Sequence, residues 1–261
     1  MASEEEMIAA SEPISDSRGR VKNAEAVRAL RAREQWERYD TVIVGQGAQD
    51  QSKGWFNNFA GFAGVSQISW FQSRDSNVDL AWTNQKSERY DYAQDLYNCN
   101  IEFMSPAYQA EFDSLGEAQK AGLIIWTQEL PKALGFEVLL ADADIIAQGP
   151  GTAFMAGRGN AGGYATDTGS AFVSGGNNGL AMRDNAWSFP EPIMIAAKAK
   201  LTVRAFIGAP IKNLLAQLPG PGTIQIPNGL GGYIEAPNWY GIRVTFRGPR
   251  YLQLRGARSS S

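Results

Sequence analysis

Residues 242–247 read Ile242-Arg243-Val244-Thr245-Phe246-Arg247, and their period of two decides the fold class. Ile242, Val244 and Phe246 fall on one face, Arg243, Thr245 and Arg247 on the other, as in a half-buried β-strand. The same alternation occurs at 201–207, where Leu201, Val203, Ala205 and Ile207 oppose Thr202, Arg204 and Phe206. It recurs at 97–103, where Tyr97, Cys99, Ile101 and Phe103 oppose Asn98, Asn100 and Glu102. Less regular strands are expected at 41–45, 66–71, 123–127, 136–146, 192–197, 223–226 and 251–255, with Pro, Gly and Asn between them. One polar face per strand argues for antiparallel sheets over a doubly wound parallel one.

About ten strands with irregular connections predict a mainly β chain. The expected body is an antiparallel β-sandwich over 39–261, a jelly roll being the commonest large version, single in preference to double. Short helices are expected within 106–121 and at 210–218, where Pro210 stands at the start.

Ahead of this body lies a different composition. Residues 1–16 carry five acids and no base, and residues 1–20 read as a disordered segment. Residues 21–38 (VKNAEAVRALRAREQWER) lack Gly and Pro and are rich in Ala, Leu, Arg and Glu, which predicts a helix. Its apolar stripe is narrow: Ala24, Val27 and Leu30 line up and Trp36 falls on the far side. Residues 1–38 are therefore read as a helical arm, the alternative being a solvated capping helix.

Ten of the 28 glycines lie in 148–186. Excursions of this length are uncommon inside compact domains. Phe154, Met155, Tyr164, Phe172, Val173 and Met182 are scattered through it, as anchors for docking on a neighbour or as incidental residues of a surface loop.

Motifs for chemistry are sparse. There is no histidine, which removes His-based triads and most zinc sites. The single cysteine, Cys99, sits on an apolar strand face and reads as an inert core thiol. Tyr39–Asp50 (YDTVIVGQGAQD) looks like the start of a dinucleotide-binding fold, but Asp50 stands where the third glycine belongs and no amphipathic helix follows. No cofactor is expected. Carboxylates remain: Glu102, Glu129, Glu137, Asp142, Asp144, Glu191 and Glu235 are candidates for a hydrolase pair, and Asp142-Ala143-Asp144 for a short metal motif. The plainer reading is charge on an exposed or edge strand.

Trp55, Phe56, Phe59, Phe62, Trp70 and Phe71 are dense enough to serve core or interface. The C-terminal 23 residues carry Arg243, Arg247, Arg250, Arg255 and Arg258 and no acid. Those arginines are candidates for a solvated face, for salt bridges to a neighbour's acidic body, or for phosphate contacts with nucleic acid. No apolar run reaches the length of a membrane span, so none is expected.

The polar arm with its helix over Ala24–Arg38, the short strands with glycine-rich excursions, and the ending IRVTFRGPRYLQLRGARSSS together resemble a bacteriophage capsid or virion subunit. That resemblance implies a jelly-roll body and no catalytic residues. Its partners would be copies of itself and other virion proteins, and its place the virion after synthesis in the host cytoplasm. Subunit contacts would then involve Val27, Leu30, Arg31, Trp36, Phe154, Met155, Tyr164 and Phe172. Other classes stay open: a carbohydrate- or receptor-binding β-sandwich of a virion or tail, and a carboxylate-dependent hydrolase.

Overall fold

The strand centred on Cys99 runs further than its alternation predicts, over β3 (Ala93–Met104), and lies beside the strand centred on Val244, β12 (Tyr240–Tyr251). The two pair antiparallel from Gly241↔Met104 to Arg247↔Asn98, then shift register before Arg250↔Gln94. The extra residue of that bulge is on β3, where Asp95, Leu96 and Tyr97 stand opposite Gly248 and Pro249. A Cβ on Gly248 would lie 1.7 Å from the Asp95 carbonyl oxygen, so only glycine lets β3 come this close.

The computed structural model describes residues 4–44, 67–71, 83–84, 92–104, 126, 129–155, 164–167, 170–173, 187–197, 199–207, 223–227, 230–237 and 240–252. The other strands are β1 (Arg33–Val44), β2 (Gln67–Trp70), β4 (Leu134–Leu140), β5 (Asp144–Pro150), β6 (Tyr164–Asp167), β7 (Ser170–Val173), β8 (Trp187–Ile195), β9 (Leu201–Ile207), β10 (Thr223–Pro227) and β11 (Tyr233–Pro237). Among the described residues four short helices accompany them: α1 (Glu4–Ser11), α2 (Ala24–Leu30), α3 (Leu130–Ala133) and α4 (Gly151–Phe154). No described helix is long and apolar enough to cross a membrane.

Eight strands form two antiparallel four-stranded sheets. The first has the order β1-β12-β3-β8 and the second β2-β9-β4-β5. Their inner faces meet in one core. Leu96, Cys99, Ile101, Phe103, Ile242, Val244 and Phe246 come from the first sheet, and Trp70, Phe136, Val138, Leu140, Leu201, Val203 and Ala205 from the second. Trp70 is wholly buried, and its indole N–H donates across the core to the Ile242 carbonyl at 2.9 Å. The mainly β class and the antiparallel sandwich hold. The hairpins β6–β7 and β10–β11 are separate two-stranded sheets inserted in the connections β5–β8 and β9–β12.

Three expectations change. The helix over 21–38 stops at Leu30, and from Arg33 the chain is strand, paired with β12 residue by residue from Arg33↔Tyr251 to Val44↔Tyr240. Arg and Glu favour helices, but Trp, Tyr, Thr and Val downstream favour strands and the open β12 edge supplies a partner. The single run at 136–146 is two strands. Ala143 N–H donates to the Leu140 carbonyl across a tight turn, with Ala141 and Asp142 at φ 53° and 57°. Leu140 pairs with Asp144, so the loop is three residues long, Ala141–Ala143, and its two left-handed residues follow the twist of the flanking strands. The stretch 148–186 begins with structure: β5 ends in it, α4 follows, and Phe154 and Met155 are core residues. The helices expected at 106–121 and 210–218 lie outside the described residues.

Edge strand β1 turns charge inward. Arg38 and Asp40 share the face of Val42 and are buried. The Asp40 carboxylate accepts the Phe71 N–H at 2.7 Å, and the Arg38 guanidinium sits 5.5 Å from the Phe71 ring. Phe71 itself has φ 61°, which a buried carboxylate on its amide helps to hold.

Candidate functional site

The sandwich has two unlike ends. Val44, Met104, Trp187 and Tyr240 finish the first sheet at one end, where the long connections 45–66, 105–133, 151–186 and 208–239 depart. The other end carries the tight β4–β5 turn, the short β8–β9 link, the β2–β3 connection 71–92 and the N-terminal segment.

That N-terminal segment packs on its own chain. Asn23 holds it in shape: its side-chain amide donates to the Ala10 and Glu12 carbonyls at 2.9 and 2.7 Å, and its oxygen accepts the Ile14 N–H. The Asp16 carboxylate accepts the N–H groups of Arg18 and Arg20, and the Arg20 amide bond is first among the causes that lower its pKa. The chain then bridges to β8, with Val21 N–H donating to the Met194 carbonyl and Ala196 N–H to that of Gly19. Arg20 and Arg18 reach Asp144 at 2.7 and 3.4 Å.

Helix α2 closes a second small core of Val21, Val27, Ala93, Met194 and Tyr251, on the opposite face of the first sheet. Beside it is a buried ionic cluster. Asp95 is fully buried, and Arg28 donates to both of its oxygens, at 2.9 and 2.7 Å. The Tyr251 hydroxyl donates to the same carboxylate at 2.6 Å, and Arg28 also donates to the Pro192 carbonyl. The hydrogen bond to Asp95 raises the Arg28 pKa, fixing its charge. Burial, then the Asp95 bond, raises that of Tyr251. Three distant stretches, α2, β3 and β12, are fastened at one point.

The expected contact residues therefore separate. Val27 is wholly buried in its own chain, because α2 lies flat on the sheet; it has no surface to offer a neighbour. Leu30 is exposed, and Arg31 is half-buried, with desolvation lowering its pKa. Trp36 is in β1 and stacks under Arg250, whose guanidinium carbon is 3.9 Å from its ring centre. Phe154 and Met155 belong to the core, which corrects their reading as exposed anchors. Tyr164 and Phe172 lie in the β6–β7 hairpin.

The arginine series also finds partners at home. Arg250 pairs with Glu34 at 2.6 Å and Arg247 with Glu37 at 2.7 Å. Arg243 donates to Thr41 at 3.0 Å and lies 5.3 Å from the Tyr39 ring. These acids stand on β1, directly across the ladder, so the three arginines stitch β12 to β1. Their reading as contacts for phosphate or for a neighbour stays a proposal beside these pairs. Arg255 and Arg258 lie outside the described residues.

The carboxylates are dispersed. Asp142 takes part in the β4–β5 turn, bound by Lys200 and by Thr202 at 2.8 Å, and those bonds lower its pKa. Asp144 is held by Arg18 and Arg20, so the two do not line one strand face as a metal motif would. Glu129 pairs with Lys132, Glu137 faces Arg204 across the ladder, and Glu191 and Glu235 are exposed. Among the described residues no cluster of three or more acids or thiols stands ready for a metal.

The sequence reading expected β10, at 223–226, but missed β11 and the hairpin the two form. Among the described elements its strands pack substantially only on each other. Leu230, Tyr233 and Ile234 are 91%, 50% and 57% exposed. The signal was present: Pro227-Asn228-Gly229 between two Ile-containing runs marks a turn. Comparison with family models, with curated proteins and with solved structures gives no match.

Proposed function

We propose that this chain is a structural subunit of a virus particle, a capsid or capsid-associated protein of bacteriophage type, with a single jelly-roll body that associates with copies of itself. One observation carries the proposal. Lettered B to I in chain order, the sandwich strands β1, β2, β3, β4, β5, β8, β9 and β12 have the sheet orders B-I-D-G and C-H-E-F. That interleaving supports the jelly-roll reading, an architecture of viral shells and of lectins. Fold alone does not assign function. The shell is favoured by the exposed apolar residues of the β10–β11 hairpin, which suit a protein partner better than a sugar.

The arm of the proposal differs from a loose tether. Residues 4–31 clasp their own sheet, so association is assigned to the connection end and the sheet edges. Light scattering and electron microscopy of the purified chain test it. Closed particles or discrete rings are the expected outcome. A chain that stays monomeric at high concentration, and binds glycans instead, refutes it.

A further inference from the structure

How firmly a segment stays shut depends on the apolar surface it buries and on how completely its polar groups are paired. Residues 4–31 are weak on both counts. Among the described residues the main core takes nothing from them; its first member in chain order is Val42. They give Val21 and Val27 to the small core on the outer face, with Ala24 packed beside them. Their other described attachments are polar: Arg28 on Asp95 and the Pro192 carbonyl, Arg20 and Arg18 on Asp144, and two backbone bonds to the end of β8. Arg20 and Arg31 each keep a buried Nε that has no hydrogen-bond partner among the described residues, a desolvation cost that opening removes.

Within itself the segment is well tied. Asn23 joins the end of α1 to the start of α2. Residues 14–22 fold into a small hairpin, with Lys22 N–H on the Ile14 carbonyl and Asp16 N–H on that of Arg20, turning at Gly19 with φ 84°. The segment meets the body at one residue. Helix α2 ends at Leu30, Arg31 is extended with φ −103° and ψ 144°, and the Ala32 carbonyl already accepts the Leu252 N–H. What it covers is a sheet edge. Residues 19–21 lie antiparallel along the end of β8, Arg20 opposite Ile195, in the position of a further strand. Covering an edge with a loop keeps it from other chains.

We propose that residues 4–31 are a strap that opens as one unit from a folded body, turning at Arg31, with the Arg28–Asp95 pair as its lock. Opening returns the Met194 carbonyl and the Ala196 N–H to solvent and uncovers Ala93, Met194 and Tyr251, so the strap controls access to the β8 edge. Openings of this kind, smaller than global unfolding, are what native-state hydrogen exchange resolves. The device belongs to a single chain and does not depend on the subunit reading.

Hydrogen exchange at low protein concentration tests it, under conditions in which rates report opening equilibria. The amides of Val21 and Ala196 make the strap's bonds to β8, and those of Val244 and Phe246 lie in the central strand β12. In the wild type Val21 and Ala196 should exchange together, and faster than the β12 pair. Val138→Ala, in the core of the second sheet, weakens only the body. It should speed the β12 amides roughly tenfold or more and leave the strap amides unchanged, because the strap opens with the body folded. Arg28→Met should speed both pairs about 100-fold, because its bonds exist only in the closed form. If Val138→Ala speeds Val21 and Ala196 as much as the β12 pair, the segment opens only when the whole molecule unfolds, and the strap is overturned. If Arg28→Met leaves Val21 and Ala196 unchanged, the lock is overturned. Low urea on the wild type repeats the test without a core substitution. Exchange of the strap amides should hardly change and that of the β12 pair should rise steeply, because global unfolding exposes far more surface; equal slopes overturn the strap.

Discussion

Replacing Arg28 with methionine should destabilise the fold far more than its place on a short polar helix implies. Asp95 has no exposed surface, and Arg28 supplies two of the three side-chain donors to it, at 2.9 and 2.7 Å. Without them the carboxylate keeps only the Tyr251 hydroxyl. Breaking a buried pair from one side costs about 3–5 kcal/mol. The Arg28 side chain is 33% exposed, so water reaches the site and the lower end applies, about 3 kcal/mol. For a chain of this size that is a fall of roughly 6–12 °C in Tm. Asp95→Asn should cost less, about 1–2 kcal/mol, because Arg28 can turn to solvent whereas Asp95 cannot. The double variant should sit close to Asp95→Asn, a coupling of roughly 3 kcal/mol. Urea unfolding followed by tryptophan fluorescence, at low protein concentration so that association does not contribute, measures all three. Equal single costs that simply add in the double variant would refute the argument.

Other expectations follow from single positions. Gly248→Ala should destabilise by about 3 kcal/mol, since the new methyl meets the Asp95 carbonyl and the β3 backbone must shift; an unchanged thermal midpoint would contradict that approach. Tyr251 has its pKa raised above the ordinary 10.0, by burial first and then by its bond to Asp95, with Tyr97 and Arg28 also acting on it. The stabilisation is complete below about pH 10 and is lost as pH rises beyond it, because the unfolded chain ionises first. Urea midpoints should therefore fall more steeply above pH 10 for wild type than for Tyr251→Phe, and parallel slopes would count against the cluster. Cys99 is fully buried and its thiol pKa is pushed up by burial, so a thiol reagent should label it only as fast as the chain opens. Rapid labelling of the folded protein would show that the core is not closed there.

What was legible in the sequence was whatever a single strand records about its own two faces. Strand β9 has the bounds that its alternation gives, and β3 and β12 extend theirs. Residues that obey another segment's demands were hidden. The β4–β5 turn uses Ala141 and Asp142 in left-handed geometry, so no glycine or asparagine announced it. Arg33–Arg38 have helix-favouring neighbours and become strand only because β12 lies alongside. The clamp joins positions 28, 95 and 251, and nothing local to any of them requires the other two. The arginine series looked outward-bound because its acids stand some two hundred residues earlier, on β1.

The pairing of β1 with β12 also sets the order in which the molecule can be made. Strand β1 is the first to be synthesised and β12 the last, yet they are ladder partners over their whole length. Until residue 251 has left the ribosome, β1 has no neighbour on its sheet, and Asp95 awaits the hydroxyl of Tyr251. Closing so long a loop is slow even though its entropy grows only with the logarithm of length. The second sheet faces no such wait, because β2, β4, β5 and β9 are complete by residue 207. Synthesis therefore completes the second sheet and the β3–β8 pair of the first before β12 arrives between β1 and β3, and until then the core between the sheets is only partly covered.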